Sequence, residues 1–285
     1  MVGTRVQSIG ANQARARAGI AALAPANGEA LGANGGDGLS QWGAWLDGSV
    51  SFLEGKARGA RFDGDGHALA IGLDHTVGWL TVGAAISYAR TGLDLPDVRG
   101  RLMAVGTSFT PYVAAQITQN LSLGAFVGYT WLDNEFSRSD QRFGDMTSNY
   151  SGHRVGGGVV LSGAYVFNAI VVAPYLSYSH AVEKLSAYTD RAGVRVEGSR
   201  NTIGLARLGT EVGYHYQGWE PFVGVGGEYE TGDIGPEVNR FGLALSAGLR
   251  FALHDQVRLA IQATTVELKD AVTDRSVAAT LRIRF

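Results

Sequence analysis

The chain has 285 residues, a formal net charge of -2 and only 18% charged residues. So balanced a charge offers no bulk attraction to nucleic acid, and the absence of cysteine excludes a disulfide scaffold or a cysteine-ligated metal. No apolar run approaches the roughly 18–20 residues that a membrane helix needs, while glycine, at 41 residues, is at about twice its usual share.

Residues 1–24 differ from the rest of the chain. They are rich in alanine and straight-chain residues, with Thr4 able to cap a helix and Pro25 to stop it. Val2, Val6, Ile9, Ala16, Ile20 and Leu23 share one helical face, interrupted by Gln13, and Arg5, Arg15 and Arg17 project elsewhere. About 22 helical residues make a rod of about 33 Å, the thickness of a bilayer core, though too polar for lipid. Residues 25–40 form a Gly/Ala/Asn linker.

From Gln41 onward the pattern has a period of two. About twelve strands are expected, near 41–53, 66–77, 79–90, 101–117, 121–133, 150–167, 169–183, 201–217 and 219–230, with three more between Phe241 and Phe285. In the last group Phe241, Leu243, Leu245, Ala247, Leu249 and Phe251 alternate with Gly242, Ala244, Ser246, Gly248, Arg250 and Ala252. Successive strand side chains point to opposite faces, so each strand has one apolar face and one small or charged face. Tight connections at Val77-Gly78, Thr118-Gln119-Asn120, Asn168, Gln217-Gly218 and His254-Asp255-Gln256 alternate with longer polar ones near 54–65, 91–100, 134–149, 184–200, 231–239 and 269–274.

This pattern predicts an all-β transmembrane barrel, 41–285, preceded by a helix and linker, 1–40, with the helix in the lumen. Short turns then face the periplasm and long loops the exterior. Trp79, Tyr88, Tyr129, Trp131, Phe167, Tyr178, Tyr216, Trp219 and Tyr229 fall at strand ends, as girdles at the two membrane interfaces require. Arg207, Glu211, His215, Glu228, Glu230, Arg250, Arg258, Gln262, Arg282 and Arg284 fall on the inward set, beside Gly156, Gly158, Gly204, Gly209, Gly213, Gly224, Gly226 and Gly248. Such glycines leave room for an alanine-rich helix in the lumen, where Arg5, Arg15 and Arg17 can meet Glu211, Glu228 or Glu230. A barrel in an outer membrane must be exported, yet no signal peptide opens the chain. Met1 is therefore expected to be either an artificial start or an internal cut.

The helix-linker-barrel order, with QWGAW in the first strand, ALAIGLDH in the second, GLARLGTEVGYHY, EPFVGVGGEYETGD and the LRIRF terminus, resembles the translocator (β) domain of monomeric autotransporters, the type V secretion family. The resemblance covers essentially the whole chain. It implies a twelve-stranded barrel in the bacterial outer membrane, threaded by its helix and joined upstream to a secreted passenger domain. The implied partners are outer-membrane lipid, the passenger and the barrel-assembly machinery, which reads the terminal aromatic strand, here Leu281, Ile283 and Phe285. The trimeric branch donates only a few strands per subunit, so a monomer is expected. Some members cleave themselves at a helix asparagine, commonly in an Asn-Asn pair; this helix has Asn12-Gln13, which places any such role on Asn12.

No catalytic residue, metal ligand or cofactor is expected. Gly38-Leu39-Ser40-Gln41-Trp42 lacks the final glycine of a nucleophile elbow, and neither H-E-x-x-H nor a phosphate-cradling G-x-x-x-x-G-K occurs. His67, His75, His153, His180, His215 and His254 are scattered. Arg207, Glu211 and His215 form a compact inward group that reads as a charge cluster holding the helix. The alternatives are an outer-membrane barrel enzyme (protease or lipase) with its site on the loop rim, a small diffusion porin, and a soluble β-sandwich.

Overall fold

The computed structural model describes residues 41–57, 60–140, 144–190, 193–232, 239–268 and 272–285. The expected helix and linker, with Arg5, Asn12, Arg15 and Arg17, lie outside the described residues. The first six strands are β1 (Gln41–Ala57), β2 (Ala60–Val77), β3 (Leu80–Leu95), β4 (Gly100–Thr118), β5 (Leu121–Asp140) and β6 (Gly144–Gly163). After Ala164 a three-residue strand, β7 (Tyr165–Phe167), turns into β8 (Ile170–Leu185). The next connection carries a two-stranded hairpin, β9 (Tyr188–Thr189) and β10 (Arg195–Val196). Then come β11 (Ser199–Tyr214), β12 (Trp219–Gly232), β13 (Phe241–His254), β14 (Val257–Glu267) and β15 (Val272–Arg284).

Setting aside β7, β9 and β10, the twelve long strands pair antiparallel in sequence order, and β15 pairs back onto β1. Trp42 and Phe285 exchange both backbone hydrogen bonds, each 3.0 Å. All twelve strands come from one chain, so the ring closes without a second subunit and leaves the long strands no free edge. The β-sandwich reading is thereby excluded. Among the described residues no second layer covers Leu69, Ile71 and Leu73, which stand outward at 55–59% exposure. Val82, Ile86, Val127, Val159, Leu208, Val223, Leu245 and Val277 are likewise exposed on the outer face. The aromatic residues expected as girdles are all exposed. At the short-turn rim, Gln217 and Gly218 both have positive φ (44° and 86°), as a two-residue type I′ hairpin requires.

Three of the expected long loops are mostly strand. The β1–β2 ladder runs out to Ala57 opposite Ala60, β3–β4 to Leu95 opposite Gly100 around a 3-10 turn at Pro96–Val98, and β5–β6 to Asp140 opposite Gly144. The reason lies in which face is apolar. Up to Phe52, Tyr88 and Trp131 the outward positions are apolar. Beyond them the outward positions are Glu54, Asp63, Arg90, Asp94, Arg101, Asp133 and Glu135, all exposed. On the same stretches the inward positions become Leu53, Phe62, Leu93, Leu95 and Leu102, a buried cluster with Phe136 and Tyr150 packed against it. The strands pass out of lipid and continue as an ordinary water-bathed collar with an apolar inside. A reading that follows one parity of apolar residues loses the strand where the apolar set changes face.

Candidate functional site

The luminal wall is built from two unlike arcs. Over β1–β6 the inward residues are mostly small and neutral, with a few large rings laid flat over glycines on the next strand. A Cβ at Gly72 would overlap the Trp45 indole, one at Gly83 the Tyr112 ring, and one at Gly158 the Phe126 ring. Trp45, Ala85, Tyr112, Ala114 and Phe126 form a buried cluster. The Trp45 indole N–H donates to the Tyr112 hydroxyl (2.7 Å), which donates to an Asp74 carboxylate oxygen (2.9 Å). These glycines therefore seat neighbouring rings, where the sequence reading assigned the glycine-rich face to making room for a helix.

The arc from β8 to β15 is charged. Arg207 Nε donates to Glu228 (2.7 Å). Arg250 donates to Glu220 (2.8 Å) and also to Glu211, which accepts from Gln262 as well (3.4 Å). Arg250 also stacks 3.9 Å over the Phe222 ring, and that ring fills the space where Gly248 has no Cβ. Nearer the collar, at the seam with the other arc, Arg154 on β6 donates to Glu183 on β8 (2.6 Å), which also accepts from Asn201 (3.3 Å); Arg154 and Glu183 are 3% and 1% exposed. The arcs meet at β1, where Gly43 leaves the gap through which Arg282 on β15 reaches Asp74 on β2, at 2.8 and 2.9 Å. Residues of both arcs border a cavity of about 950 Å³.

Of the residues expected in the lumen, Arg207, Glu211, Glu228, Arg250, Arg258 and Arg282 line this cavity. His215 borders it too, but not as part of a group with Arg207 and Glu211. It follows the last residue of β11, is 60% exposed, and lies 3.9 Å from the Glu220 carboxylate. Its amide still donates to the Ala169 carbonyl (2.7 Å) and Tyr216 bridges to Trp219, so the inward parity holds, but this close to the Gln217-Gly218 turn the ring's neighbour is Glu220 on the next strand. The compact group is instead Glu211, Arg250, Glu220 and Gln262. Gly204 is also misplaced by the sequence reading. It shares the parity of outward Leu208, and a Cβ there would overlap the Thr231 side chain. Asp47, Asp74, Tyr112, Arg154, Glu183 and Glu220 were missed. Their signal was available, since each sits on the inward parity of its strand. Leu281, Ile283 and Phe285 face outward on the closing strand or at its end, with Ile283 and Phe285 exposed.

At the far mouth the β8–β11 connection folds inward. Tyr188 stacks on Tyr150 (centroids 4.8 Å apart, planes at 10°), and Arg138 pairs with Asp190 at 3.3 Å. Burial there raises the Tyr188 hydroxyl pKa above the ordinary phenol value. Among the described residues no three His, Cys, Asp or Glu side chains are grouped to hold a metal ion.

A family model, the autotransporter beta-domain, matches residues 42–264. The chain belongs to the autotransporter beta-domain family. This autotransporter barrel is thus a translocator of the bacterial outer membrane. Its fold is similar to the translocator domain of the autotransporter NalP from Neisseria meningitidis, at TM-score 0.78 and 13% identity over 98% of this chain and 97% of that one. The beta domain of the Bordetella autotransporter BrkA matches at TM-score 0.75 and 19% identity, over 86% of this chain and all of that one (100%). The transport unit of the autotransporter AIDA-I from Escherichia coli matches at TM-score 0.64 and 13% identity, over 85% and 90%. No curated protein matches the autotransporter barrel by sequence.

Proposed function

We propose that the barrel secretes an N-terminal passenger domain across the outer membrane and is afterwards plugged by a helix formed from residues 1–24. One observation carries this reading. Gln41, the first residue of β1, stands opposite Thr76 at the short-turn rim, whereas a secreted passenger ends beyond the opposite rim. The chain between them has to run the length of the lumen, and a helical segment of about 22 residues, about 33 Å, is of that length. Arg5, Arg15 and Arg17 suit a wall that carries Glu211, Glu228 and Glu230. Linker 25–40 leads back to β1.

In this reading the barrel acts as a monomer and performs no bond chemistry. Its assembly depends on the barrel-assembly machinery engaging Phe285 with Ile283 and Leu281. Deleting residues 1–36 tests the luminal helix: single-channel conductance in a planar bilayer rises severalfold. Unchanged conductance in the folded barrel overturns the plug. A passenger fused upstream of Met1 that stays inside cells bearing a folded barrel overturns the secretion role.

A further inference from the structure

Residues directly opposite one another can be followed around the outer face of the barrel. At the collar edge of the lipid-facing band, Trp131 on β5 is opposite His153 on β6, His153 is opposite Lys184 on β8, and Lys184 is opposite Arg200 on β11. All four share the outward parity of their strands. The next row toward mid-bilayer is Tyr129, Val155, Val182 and Thr202. In the row after that, His180 is flanked by Gly157 and Gly204, and the Thr231 and Tyr178 side chains lie over Gly204. The rings around the row are ordered against one another. His153 stacks on Tyr129 (6.0 Å, 5°), Tyr129 packs edge-on to Trp131 (4.8 Å), and His180 stacks on Tyr178 (6.5 Å).

Like charges directly opposite each other in a sheet are destabilising, and Lys184 and Arg200 are so placed. The row contains no acid, and among the described residues none of His153, Lys184 and Arg200 makes an ion pair. Among the described residues the nearest outward acid in register is Asp133, opposite Ser151 and one row further out. On the other side of the barrel, at or above the same height, acids stand among the outward basic residues: Arg61 pairs with Asp97 (3.2 Å) and Arg101 with Asp94 (3.6 Å), His67 contacts Asp65 (3.0 Å), and Arg90 donates to the Met103 sulfur (3.8 Å). There the fold supplies a counter-charge for both of the paired arginines. On β6–β8–β11 it does not, and the row sits where lipid headgroups begin.

We propose that His153, Lys184 and Arg200 form a binding site for the phosphate of an outer-leaflet lipid headgroup. Lys184 and Arg200 hold the phosphate oxygens by charge-assisted hydrogen bonds, with His153 beside them. Trp131, Tyr129 and the apolar row Val155 and Val182 beneath them receive the adjoining apolar part of the lipid. The site is on the outer wall and is independent of what fills the lumen; it rests on the outer-membrane placement of the barrel.

The test uses the full chain, purified folded from membranes in mild detergent. Lipid phosphorus retained per barrel is measured, and the adduct is identified by native mass spectrometry. Lys184→Gln with Arg200→Gln lowers retained lipid phosphorus about twentyfold, roughly fivefold for each cation removed. Arg61→Gln with Arg101→Gln leaves it unchanged, and so does the charge-preserving exchange Lys184→Arg with Arg200→Lys. Heat-modifiable gel migration verifies that each variant is folded. Equal retention by the Gln variant overturns the site. Displacement of the adduct by excess inorganic phosphate assigns the row to free phosphate and overturns the lipid assignment.

Discussion

The two arcs of the lumen solve the same problem differently. Each must line a tube whose outside is already apolar, so neither can use an ordinary core. The β1–β6 arc lays rings over glycines and links them through Trp45, Tyr112 and Asp74. The β8–β15 arc holds itself by ion pairs among Arg207, Glu228, Arg250, Glu211 and Glu220. The first arc is closed on itself and turns little charge toward the pore. The second carries charge along its whole height, from Arg258 and Arg284 near the short-turn rim to Glu183 near the collar. The charge that the lumen presents therefore lies mostly on one side of the tube, while the other side is packed ring on glycine.

The largest test of this contrast is at Arg154. It is a buried cation paired with a buried carboxylate, and breaking such a pair from one side costs about 3–5 kcal/mol. Arg154→Met is expected to lower the unfolding free energy of the reconstituted barrel by that amount, seen as a lower urea midpoint at unchanged slope. Arg154→Met combined with Glu183→Leu recovers most of the loss. If the double variant is no more stable than the single one, ion pairing is not what holds the charged arc to β6.

Next in size is a test of which surface the arcs belong to. Leu245 faces outward on β13, and arginine near mid-bilayer costs roughly 2–4 kcal/mol. Leu245→Arg is expected to weaken insertion, seen as loss of heat-modifiable migration on a cold gel. Ser246→Arg, one residue on and facing the lumen, inserts normally. The same behaviour from both variants would remove the distinction between wall and exterior.

The smallest effect belongs to the ring-over-glycine arc. Gly72→Ala places a methyl group where the Trp45 indole lies, and overpacking of this kind costs about 1–3 kcal/mol. The expected outcome is a lower unfolding midpoint with unaltered single-channel conductance. A conductance change would mean that the ring moves into the pore and that this arc is less rigid than its packing indicates.

Much of this molecule is legible without coordinates. Leu69, Ile71 and Leu73, or Leu245, Ala247 and Leu249, announce their face by a period of two. The glycine, serine and charged residues between them announce the other. Strand number, short-turn rim and most inward charges follow from that local period. The collar does not, because Leu53, Phe62 and Leu93 carry the pattern onward on the opposite parity. The neighbour of His215 does not either, because Glu220 lies across the turn on β12.

The sequence by itself determined a closed, twelve-stranded sheet with oil outside, since alternation is a property of neighbouring residues. Only the tertiary structure decided which inward side chains meet. Arg282 reaches Asp74 across 208 residues of chain, and it does so because β15 closes on β1 in one register and Gly43 leaves a gap between them. Those partnerships depend on how the ring is closed, and no run of adjacent residues encodes that.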